Sequence, residues 1–182
     1  MRYGLSLATL LAWALWFGGA ITLFILVTHL FSVERAVAVQ AAPRMFVHFA
    51  RYQLLLAAIA LVASAVWRLT EPRGILTAIF SLFALCAVST VLIAAVITPR
   101  MEDLRERGET KTPQYAQLHG QAGIAYTAEA ALLLIVGILL PSALQRMQRG
   151  AIGSTTSPAA ASEPSPATSP ADPDPEAAPA PL

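Results

Sequence analysis

One carboxylic acid stands inside an apolar run long enough to cross a bilayer. The segment "LHGQAGIAYTAEAALLLIVGILL" begins at Leu118 and carries Glu129, with His119 and Tyr126 ahead of it. At about 100° per residue the three side chains fall within about 80° of arc on one helical face. Ionisable groups inside membrane segments are rare and mark proton or ion sites by default. Two readings of Glu129 follow. It is a proton or cation site coupled to His119 and Tyr126, or a buried structural acid that is neutral or paired with Arg51.

The three histidines raise a second chemistry. His29 closes the first apolar run, His48 opens the second and His119 enters the fourth. Antiparallel alternation brings all three to one membrane face, beside Arg51, Tyr52 and Gln53. Converging imidazoles are ligands for a transition metal or a haem, so haem or copper is the cofactor reading of that face. Ligands of zinc-type sites usually lie three to five residues apart, and these do not. Interfacial hydrogen bonding is the plainer role for them. Cys86 stands alone in an apolar run and reads as a small hydrophobe.

The elements that must position these groups are membrane helices. Of the 182 residues, 56% are hydrophobic and 13% charged, about half the charge of a soluble domain. Mean hydropathy is +0.61. Four runs, about 5–31, 46–67, 75–97 and 119–142, each exceed the roughly 20 residues that a spanning helix needs. Their continuity argues against β-barrel strands. The first is too long for a signal-peptide core and reads as a retained anchor. The expected fold is therefore all-α, four transmembrane helices in an antiparallel bundle over residues 1–149. Residues 150–182 hold eight of the 13 prolines and almost no large apolar side chain. They are expected to form a disordered Pro/Ala/Ser-rich tail.

Connections and packing faces follow from local signals. Trp67, Arg68 and Pro72 suit an interfacial turn after span two. In "TPRMEDLRERGETKTPQYAQ" a short surface helix is expected, with Asp103 four residues before Arg107. Gly108 ends it, Thr112 caps the next helix and Pro113 starts it. Gly18, Gly19, Thr22 and His29 on span one, and Gly123 on span four, mark faces where small residues let helices approach. The raw Lys/Arg count slightly favours the loop face as cytoplasmic. Arg2 and the amino terminus on the first helix favour cytoplasmic termini, which is the orientation adopted.

Three stretches carry a family resemblance. "WFGGAITLFILVTHLF" in span one, "ITPRMEDLR" closing span three and "QLHGQAGIAY" entering span four resemble bacterial relatives of transmembrane protein 205, the domain of unknown function 4149. A fainter likeness runs to copper-resistance inner-membrane proteins. The resemblance covers about residues 5–145 and implies a four-helix bundle in a bacterial inner membrane. It makes Trp16, Gly18, Gly19, Pro99, Arg100 and His119 the motif positions to follow. No nucleophile elbow, phosphate loop or nucleic-acid footprint appears. The expectation is a non-enzymatic accessory or small-solute or ion-handling membrane protein. Its partners are the lipid bilayer and either further copies of itself or another membrane protein.

Overall fold

The computed structural model describes residues 2–71 and 74–155, with side chains over 3–71 and 74–145. Among these residues there is no strand. Helix α1 spans Arg2–Val33 and α2 Arg35–Thr70, with Glu34 alone between them. Helix α3, Gly74–Leu92, passes through a π-turn at Ile93–Ile97 into α4, Thr98–Glu106. Helix α5 runs Pro113–Thr155. Four stretches are long and apolar enough to cross a membrane: Tyr3–Val33, Arg35–Thr70, Gly74–Glu106 and Pro113–Gln145. A bilayer leaves no water for backbone groups, so each must bond within its own helix.

The helices close a ring, α1 against α2, α2 against α3, α3 against α5 and α5 back against α1. The α1–α2 turn and the α4–α5 loop share one end, called here the loop side. The amino terminus and the α2–α3 turn share the other, the terminal side. The contiguous buried cluster includes Ala12, Leu56, Ala60, Trp67, Ile79, Phe83, Leu133, Val136 and Leu140. Every one of these lies in the terminal half. The loop half buries residues outside that cluster, Leu23, Ile93, Ile97, Leu104 and Leu118 together with the small Ala38, Ala42 and Ala50.

The local signals around the α4–α5 loop hold. Gly108 adopts φ 74°, the left-handed conformation that favours glycine. The Tyr115 amide donates to Thr112 Oγ1 at 3.3 Å, and α5 begins at Pro113. Arg107 donates to Asp103 at 2.5 Å. The expected surface helix is not separate, however. It continues α3 through the π-turn, where the Thr98 amide bonds back to Ile93. Pro99 explains the wide turn. It has no N–H for the carbonyl four residues back, and its ring crowds that carbonyl.

Trp67 is fully buried near the end of α2, three residues before Thr70. Helix α5 extends five residues beyond the change of composition at Gly150. The turn residues Pro72 and Arg73 and the tail from 156 onward lie outside the described residues.

Candidate functional site: a carboxyl at the centre of the bundle

Glu129 is 1% exposed and each of the other three spanning helices sends it a polar side chain. From α1, Trp16 Nε1 donates to Oε1 at 2.9 Å. From α2, Gln53 Nε2 donates to the same oxygen at 2.5 Å. From α3, Thr90 Oγ1 lies 3.1 Å from Oε2. The Cys86 thiol is 3.9 Å from the Glu129 carbonyl oxygen. Trp16 and Thr90 are wholly buried and Gln53 is 1% exposed. Trp16 also stacks on Phe83, 6.2 Å between ring centres, which fixes its indole edge toward the acid.

This layer lies near the middle of each helix's length. Trp16 is residue 15 of the 32 in α1, and Gln53 is residue 19 of the 36 in α2. Thr90 is residue 17 of the 33 from Gly74, and Glu129 is residue 17 of the 33 from Pro113. At 1.5 Å per residue, sixteen residues put the carboxyl about 24 Å from the start of its helix. Helix α5 starts at Pro113, before its apolar run, so Glu129 stands near the middle of the Pro113–Gln145 stretch although it follows the start of the apolar run by only about two turns.

The expected partners change. Arg51 is exposed, and among the described residues no cation pairs with Glu129. Arg51 and Gln53 stand two residues apart on α2, about 200° around the helix, so only one can face the acid. Tyr126 is half-buried one turn towards the loop side, its ring 5.5 Å from Phe46. Tyr52 is half-exposed and packs on Phe49. His119 is exposed and stacks on Tyr115, 6.4 Å between centres. His29 and His48 are exposed too, and among the described residues no three His, Cys, Asp or Glu groups converge as a metal site.

Proton accounting shows what the site can do. Thr90 Oγ1 also lies 3.0 Å from the Cys86 carbonyl oxygen, yet a hydroxyl has one proton. When Glu129 is ionised, Thr90 donates to Oε2. When Glu129 is protonated, Oε2 donates to Thr90 and the Thr90 proton turns to the Cys86 carbonyl. Oε1 keeps its two donors in both states. The cage thus accepts the acid in either form through one hydroxyl rotation.

Among the packing glycines, Gly19 is close to its neighbours. A Cβ there would meet Phe49 at 3.1 Å and Tyr52 at 3.4 Å. Gly18 and Gly123 meet nothing within 4 Å, and Thr22 is exposed. Their stripes face outward, which corrects their assignment to helix contacts within this chain. Of the described glycines the most tightly packed is Gly137, which the small-residue pattern did not mark. A Cβ there would lie 2.3 Å from Trp13, whose Nε1 donates to the Leu133 carbonyl at 2.7 Å. Of the motif positions, Trp16 holds the acid, while Pro99 and Arg100 are exposed at the π-turn.

A family model described as a domain of unknown function, DUF4149, matches residues 11–110. That is more than half of the chain, and the chain belongs to this family. The matched region contains Trp16, Gln53 and Thr90, while Glu129 lies beyond it. No curated protein and no solved structure matches the chain.

Proposed function

We propose that this integral membrane protein is non-enzymatic and handles protons, with Glu129 as the group that takes up and releases them. One observation carries the reading. A single carboxyl near the middle of four spanning helices is held by three uncharged donors, one from each other helix, with no cation beside it among the described residues. A purely structural role needs only one form of the acid. The Thr90 hydroxyl instead supplies a partner for both. Trp16, Gln53 and Thr90 are positioning residues that keep the carboxyl in place while its proton comes and goes. Four helices around one acid make a short route, so transfer across the membrane calls for further copies of the chain or a partner membrane protein.

The test is infrared difference spectroscopy of the full chain in lipid across a pH series, beside Glu129→Gln. Glutamine keeps the size and both hydrogen-bonding ends of the side chain but has no titratable proton. The expected result is a protonated-carboxyl band that varies with pH in the wild type and is missing from a folded Glu129→Gln. Identical spectra from the two proteins would overturn the reading.

A further inference from the structure

A small cleft opens on the loop side, between α2, the π-turn and α5. Its volume is about 60 Å³, room for a few water molecules. Pro43, Phe46, Ile93, Arg105 and Tyr126 are among the side chains that line it. The inner end and the acid site are one turn apart on two helices at once. Ile93 follows Thr90 by three residues, and Tyr126 precedes Glu129 by three. One turn is about 5 Å.

Several independent features converge on this cleft. Its mouth is polar, with Arg105 Nη1 2.7 Å from Glu102 and Nη2 3.1 Å from the Tyr115 hydroxyl. Its wall includes Ile93, the first residue of the π-turn, and such turns are frequent at functional sites. Pro43 opposite has no N–H to give its helix, which leaves one backbone carbonyl of α2 free to bind water. Beside the acid, Gln53 Oε1 is buried without a hydrogen-bond partner, an acceptor waiting for a donor. Below the acid the route stops, because the terminal half is filled by Trp67, Phe83, Leu133 and Val136.

We propose that this cleft is a water-filled access route that connects Glu129 to the loop side of the membrane, and to that side alone. Tyr126 forms its floor, so a shift of that ring off Phe46 would open the last turn to water. The inference rests on the proton-site reading above and adds the direction from which the site is reached.

Cysteine accessibility of the full chain in sealed vesicles tests it. The background is Cys86→Ala, and the probe is a charged, membrane-impermeant methanethiosulfonate. Ala122→Cys and Met101→Cys place thiols on the cleft wall. Ile124→Cys places one two residues from Ala122 and so at nearly the same depth, at a position that is 73% exposed on the outer surface of the bundle, where lipid lies. A thiol in apolar surroundings stays protonated and reacts slowly, so the cleft thiols should react at least about tenfold faster than Ile124→Cys. They should do so only from the loop side. Equal rates at Ala122→Cys and Ile124→Cys, or labelling from both sides, would overturn the route. The infrared test would then still stand or fall on its own, since it reads the Glu129 proton and not its path.

Discussion

Replacing Gly137 by alanine puts a number on the tightest packing against any described glycine. The added methyl would sit 2.3 Å from Trp13 Cζ2, 2.9 Å from Cε2 and 3.1 Å from Cη2. Relief to an ordinary contact near 3.5 Å requires the indole or a helix to move by about 1 Å. The indole is rigid, stacks on Phe17 at 5.8 Å and is tied to the Leu133 carbonyl. Overpacking of this kind costs about 1–3 kcal/mol, and loosening the Trp13 hydrogen bond adds about 1 kcal/mol. Alanine returns up to about 1 kcal/mol in helix propensity. The net expectation is a loss of about 2 kcal/mol, equivalent to a fall of roughly 4–8 °C in Tm for a chain of this length. Thermal unfolding of the detergent-purified protein measures it, with Gly123→Ala as control, since a methyl there meets nothing within 4 Å. In a Trp13→Ala background the penalty of Gly137→Ala should vanish. A Gly137→Ala protein as stable as Gly123→Ala would refute the reasoning.

The acid site makes its own predictions. Trp16→Phe removes a buried donor and should cost about 1–3 kcal/mol, whereas Gln53→Leu should cost less, because it also removes the unpartnered Oε1; equilibrium unfolding of the two variants ranks them. Thr90→Val should shift the pH response of the Glu129 carboxyl band and lower stability by about 1–3 kcal/mol, while Thr90→Ser, which keeps the hydroxyl, should leave the band in place. At the loop, Gly108→Ala meets its positive φ and should cost about 1–2 kcal/mol. Thr112→Ala should cost about 0.5–2 kcal/mol through the lost cap. Thermal melts check both.

The spans were legible because a helix needs only length and apolarity to cross a bilayer, and neither depends on its neighbours. The same holds for Gly108, Thr112 and Pro113, whose roles are set within a turn of chain. Glu129 stood out by type, and Trp16 as a motif position of the family resemblance. Their pairing did not follow, because it depends on the rotation of two helices 113 residues apart in sequence. Arg51 looked the natural partner by charge, yet Gln53 faces the acid. Small residues misled for a related reason. Glycine permits close approach only where a neighbour is present, and that neighbour was Trp13 against Gly137 rather than anything beside Gly18 or Gly123.

The one-sided core has a mechanical consequence. Large interlocking side chains form one contiguous cluster in the terminal half, while the loop half has separate buried residues (Leu23, Ile93, Ile97, Leu104 and Leu118 beside small alanines), a proline inside α2 and a widened turn before α4. Stiffness therefore changes across the Glu129 layer, and the helices can flex in one leaflet while staying clamped in the other. Amide hydrogen exchange in nanodiscs should show this as a step, with faster exchange over 36–48 and 93–106 than over 56–67 and 76–87. A bilayer that thickens or curves in one leaflet would then bear on the compliant half first, and the acid would lie at the pivot.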